Sequence, residues 1–196
     1  MIDCIESADR QVESHAVTER RRPHLLITIL TIACIGSAPA SAAPDSAPNS
    51  AKVFTDQAGK FGAQKCAGLY SALGDLVSRG AAYSVRTEAN REAPDAHIIQ
   101  GAVGMTYNLP ELKGQAAGMV FAAPVAQGCE GQLVRVAPLQ RSCQQVIKEL
   151  PAGSAATANL SGVPLYQLGG NRGQVLMIAS GAGCVVVTVN MASQKL

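Results

Sequence analysis

Tryptophan is absent from the 196 residues, and Phe and Tyr number only three and four. The core must therefore be built from Val, Leu, Ile, Ala and Met. Charge is scarce as well, at 15% of residues, and nearly balanced at a net +2. Scattered basic residues without interleaved aromatics give no footprint for nucleic acid. No Cys-x-x-Cys pair and no His-x-x-x-His occurs, so a thioredoxin-like redox site or a zinc ribbon has no support. The Gly-x-Ser-x-Gly elbow of many hydrolases is missing too. No cofactor and no metal is expected, and no internal repeat is visible. What is present is an apolar content of 47%, enough for one packed domain.

The front of the chain reads as an export signal. Arg20, Arg21 and Arg22 precede an apolar run of 11 residues, Leu25 to Ile35, which leads into a small-residue zone. A bilayer core needs about 20 apolar residues, so this run suits a cleaved signal peptide and not an anchor. Ala40-Ser41-Ala42 satisfies the small-x-small rule, which places cleavage after Ala42. Asp3, Glu6, Asp9 and Glu13 do not belong in a positive n-region, which suggests a true start at Val17 through a GTG codon. Cys34 follows Thr31-Ile32-Ala33, a poor lipoprotein signal, so thiol lipidation there is the lesser alternative. The expected organisation is an extension and signal at 1–42, an Ala/Pro/Ser tether at 43–51, and one domain at 52–196. A periplasmic or secreted protein of a bacterial envelope follows, with no transmembrane span in the mature chain.

From Ala43 onward four cysteines remain: Cys66, Cys129, Cys143 and Cys184. An even count in an exported chain reads as a disulfide framework. Three pairings are open, and the periodicity narrows them. Apolar residues at helical spacing predict a helix from about Val53 to Val77. Tyr83 to Ala96, rich in charge, reads as a solvated connection. Alternation then predicts strands at Ile99–Tyr107, Ala117–Val125 and Leu133–Leu139, the last two a hairpin. Ser142 and Gln145 form a capping-box pattern opening a short helix with Val146, Ile147 and Leu150 inward. Ala152 to Gly173 reads as a long loop, and Val175–Ala179 with Cys184–Met191 as a second hairpin. The expected fold class is α+β: about five mainly antiparallel strands in the order α-β-β-β-α-β-β, with two helices on one face. A seven-residue strand spans roughly 23 Å, too far for a Cys129–Cys143 bridge. If the short helix returns along the sheet and the fourth strand runs parallel to the third, Cys184 arrives near Cys143. Cys66–Cys129 and Cys143–Cys184 are therefore favoured.

Chemistry-bearing groups are few. His97 is the sole histidine beyond the signal, and a hydrolase would pair it with Ser154, Ser161 or Ser180 and with Asp95 as orienter. Serines in small-residue loops more commonly serve turn chemistry. The long loop offers Pro164, Leu165, Tyr166 and Leu168 as a contact surface, which Arg172 and Lys148 could rim. The expected function is a non-enzymatic binding or assembly-support module with an envelope protein partner. A small hydrolase built on His97 is the alternative.

Overall fold

The computed structural model describes residues 50–109 and 112–196. The signal segment with Val17, Cys34 and the Ala42 cleavage point lies outside them, as does most of the tether. Helices α1 (Ser50–Lys60) and α2 (Ala67–Ser78) come first, then strands β1 (Ala82–Ala89), β2 (Ile99–Asn108), β3 (Lys113–Val125) and β4 (Gly128–Leu139). The second part holds α3 (Cys143–Lys148), β5 (Ala155–Leu160), β6 (Val163–Gln167), β7 (Gln174–Ser180) and β8 (Gly183–Lys195). All eight strands form one antiparallel sheet in the order β1-β2-β3-β4-β8-β7-β6-β5.

The expectation of five strands and two helices is thus overturned: the described residues are mostly sheet, with eight strands and three small helices. Each discrepancy has a physical cause. The single helix expected over Val53–Val77 is two, because Gly62 stands at φ +73° and ends α1. There Ala63 N–H donates to Ala58 C=O at 3.0 Å and Gly62 N–H to Gly59 C=O at 3.0 Å, a Schellman closure. β1 was hidden under its charges. Its Tyr83, Val85 and Thr87 point to the helices while Ser84, Arg86 and Glu88 face the other way, the charged habit of an edge strand. The expected loop Ala152–Gly173 contains β5 and β6. β5 is exposed along its whole length and is held by backbone pairing to β6, so its Ala-Ala-Thr-Ala-Asn-Leu carries no apolar period.

The helices share one face of the sheet. Under α1 and α2 lies the larger core, where Phe54, Tyr70, Leu73 and Val77 pack on Ile99, Val103, Met105 and Val120. A smaller core of Val146, Val175, Met177 and Cys184 lies under α3. The Ser142 capping box closes as its spacing predicts: Gln145 Oε1 accepts from Ser142 N–H at 2.9 Å, and Ser142 Oγ accepts from Gln145 N–H.

Two disulfides, Cys66–Cys129 and Cys143–Cys184, tie helix to sheet in each part. This is the pairing that the strand-length argument favours. β7 runs in the direction of β4, and β8 returns so that Cys184 sits opposite Leu139, at the end of β4. The two parts are built alike. Cys66 immediately precedes α2 and bonds the second residue of β4; Cys143 opens α3 and bonds the second residue of β8. Leaving α1 aside, each half is a helix followed by a four-stranded meander, and the strand order is two-fold about the β4–β8 seam. The likeness lies in the topology and not in the sequence, where no repeat is visible. Gly-Cys at the start of the last strand is shared, as Gly128-Cys129 and Gly183-Cys184, together with the cysteine at the helix start.

Tyr70 is completely buried, with its hydroxyl 2.8 Å from Thr87 Oγ1. Burial raises the phenol pKa above 10.0, and the Thr87 hydrogen bond offsets part of that. A raised acid means the native state holds its proton after the unfolded chain has lost it. The stabilisation is therefore full below about pH 10 and is lost as pH rises further. Unfolding free energy measured from pH 8 to 11 is expected to fall above pH 10, and Tyr70→Phe to flatten that decline. An unchanged slope in the variant would contradict this.

Candidate functional site

The hydrolase residues do not converge. His97 is exposed beside the start of β2, in a shallow hollow with Glu88, Asn90 and Gln100. Asp95 does not orient it: its carboxylate accepts from the Lys65 backbone N–H at 2.7 Å. Ser180 ends β7, four strand spacings from β2, or about 19 Å across the sheet. Ser154 and Ser161 flank β5, farther still. Ser154 serves its turn, donating to Pro151 C=O at 2.6 Å and accepting from Gly169 N–H at 3.0 Å. Ser161 occupies the β5–β6 turn at φ +53°. Among the described residues no group of three or more His, Cys, Asp or Glu could hold a metal ion.

The Pro164–Leu168 surface is split by the strand it belongs to. Successive residues of β6 point to opposite faces. Tyr166 turns inward and packs with Leu168 against the smaller core. Leu165 pairs with Leu176 and stands on the opposite face. Lys148 is exposed in the last turn of α3, and Arg172 follows the short turn Gly169–Asn171.

That opposite face, which no helix among the described residues covers, is the more informative surface. Its centre is built by Val134 and Val136 of β4, Val185 and Val187 of β8, Leu176 of β7 and Leu165 of β6, all half-buried by their neighbours. Toward the β5 side Ile178 and Leu160 are 41% and 51% exposed, and Met191 at the other end is 75% exposed. Small residues of β2 and β3, namely Ala102, Gly104 and Ala117, form an apolar hollow of about 310 Å³ beside Val134 and Val136. Strand residues bearing charge on this face stand only on β1 (Arg86, Glu88) and at the ends of β3 (Lys113), β4 (Glu130) and β8 (Lys195).

Sequence reasoning missed this surface although its signal was present. Val175-Leu176-Met177-Ile178 and Cys184-Val185-Val186-Val187 are apolar at every position. A strand with one wet face alternates; continuous apolar runs mark strands meant to be covered on both sides. Among the described residues, no helix is long and apolar enough to cross a membrane. No known family, curated protein or solved structure matches this chain.

Proposed function

We propose that the chain is an exported, non-enzymatic binding and assembly module that works as a homodimer, joined through the uncovered face of its sheet. The export part rests on the signal-like segment Arg20–Ala42 and on the two disulfides, which suit an oxidising compartment. The observation that carries the dimer is the charge-free apolar block spanning β3 to β5. Each position on one sheet face occupies about 33 Å², so this block covers about 450 Å² of sheet plane. Two copies together would remove about 900 Å² from water through the block alone, close to the size of a small specific interface, before the rim is counted. An exposed apolar patch of that extent matches the largest patch of a typical monomer, which is often a functional surface.

A second copy is the occupant that fits. Branched side chains on a pleated surface interdigitate well with another such sheet, at about 10 Å separation and about −30° between strand directions. The face has no charged centre for a partner of either sign to recognise, and its acids and bases stand at the rim.

Protein purified from the envelope fraction is expected to begin at Ala43 and to sediment at twice the chain mass. Val187→Glu and, separately, Ile178→Lys place a charge in the block and should each give a monomer with native far-UV circular dichroism. Native protein that sediments as a monomer at high micromolar concentration would overturn the dimer. Intracellular, full-length protein with titratable thiols would overturn export.

A further inference from the structure

The two halves do not close over their seam on the helix side. α2 has 12 residues and covers β3 and β4, whereas its counterpart α3 has 6 and stops short. A cleft of about 620 Å³ is left above the β4–β8 pair. Leu133 and Arg135 of β4 and Thr188 and Asn190 of β8 form its floor, on the two-fold seam itself. Leu76 and Arg79 at the end of α2 form one wall, and Leu168, Asn171 and Arg172 the other.

The charge in this cleft has one sign. Among the described residues, three arginines line it and no carboxylate does. Asp75, one turn behind Arg79, engages only one edge of that guanidinium, at 3.2 Å, and both side chains remain well exposed. Arg135 is half-buried, and one of its nitrogens donates to the Tyr107 hydroxyl at 3.4 Å. A guanidinium carries five N–H donors, so this contact orients the group and leaves most of its donors unspent.

The Arg172 wall is fixed by its backbone. Leu168 N–H and Gln167 Nε2 both donate to Gly173 C=O at 2.9 Å, and Asn190 Nδ2 donates to Arg172 C=O at 3.2 Å. Gly170, Asn171 and Gly173 all take positive φ. A Cβ at Gly173 would come within 2.2 Å of Val189 C=O, so only glycine lets this turn press onto β8. The chemistry of the lining is therefore mixed: the floor and each wall pair an arginine with a leucine, Arg135 with Leu133, Arg79 with Leu76 and Arg172 with Leu168.

We infer that this seam cleft binds a small amphiphile with an anionic head, a carboxylate or a phosphate monoester on an apolar body. Guanidinium groups match both heads bidentately. The volume is that of an ordinary small-molecule site, and the leucines take the body. The site lies on the helix face, so it does not rest on dimer formation through the other face.

The test uses the mature, oxidised protein with ¹⁵N labelling and four probes: octyl phosphate, octanoate, inorganic phosphate and octyltrimethylammonium. Octyl phosphate and octanoate are expected to shift the amides of Arg135, Arg172, Thr188 and Asn190. Inorganic phosphate should bind at least tenfold more weakly, for want of the body, and the cation not at all. Arg172→Ala and Arg79→Ala, both at exposed positions, should each weaken octyl phosphate about tenfold or more, as expected for lost hydrogen bonds between charged groups. The monomeric Val187→Glu protein should bind as the native protein does, which separates this outcome from the fate of the dimer. Equal binding of the cationic and anionic probes, or shifts confined to the opposite sheet face, would overturn the proposal, as would no binding at millimolar probe.

Discussion

Reduction of both disulfides is expected to leave the chain largely unfolded at room temperature. The bridges span 63 and 41 residues. In the loop-entropy account each restrains the unfolded chain by about 4 kcal/mol. A domain of this size has about 5–15 kcal/mol in total, so losing about 8 consumes most of it. The two contributions should add, because each bridge closes its own half and none crosses the seam. Their single losses should differ in character. Cys143→Ser with Cys184→Ser releases α3 from a core of only four buried residues, and hydrogen exchange should accelerate first in α3, β7 and β6. Cys66→Ser with Cys129→Ser frees α2 from the main core and should lower the global melting temperature. Thermal unfolding with and without reductant is the measurement, and a reduced protein that melts within a few degrees of the oxidised one would contradict the argument.

Tyr70→Ala should be the most damaging single substitution in the larger core. Its ring is fully buried and meets Phe54 edge-on at 5.5 Å between centroids, which holds α1 to α2. Phe54 in turn stacks on Tyr83 of β1 at 5.9 Å. Few aromatics exist to compensate. Deleting a buried aromatic of this kind costs about 3–5 kcal/mol in transfer and cavity terms. The Thr87 hydroxyl, itself buried, also loses its partner. Tyr70→Phe isolates that second contribution and should cost about 1–3 kcal/mol. Urea unfolding at pH 7 measures both. A Tyr70→Ala loss below about 1.5 kcal/mol would mean that α1 does not depend on this contact.

Much of the architecture was legible where one face is wet and the other dry. β2 alternates without exception, with Ile99, Val103, Met105 and Tyr107 inward, and its limits followed from that. The short α3 was legible because its cap is a local device within four residues. Local signals were weak where tertiary pairing does the work. β5 has no buried side chain, and β1 shows its charges to solvent, so both are strands because of their neighbours. The cysteine pairing was accessible to strand length and direction alone, even though the strand count was five and not eight. The candidate surfaces divide in the same way. Tyr166 was legible as an apolar residue in a Gly-rich stretch, but only the register shows that it turns into the core while Leu165 turns out. The cleft over the seam was illegible, since Arg79, Arg135 and Arg172 are far apart in sequence and only the β4–β8 pairing brings their elements together.

Two similar halves sewn at one antiparallel pair leave each chain with a second way to satisfy its central strands. Because β4 and β8 pair antiparallel at the seam and each is anchored by its own bridge, the β8 half of one molecule could trade places with that of another. The connection from Gln140 to Ser142, between β4 and α3, would act as the hinge for such an exchange. Concentrated refolding would then yield interlocked pairs that persist on dilution, distinguishable from face-packed dimers by their slow dissociation. The same economy suggests that the gene can be cut at that hinge, and that the two products, made separately, would find each other and rebuild the whole sheet.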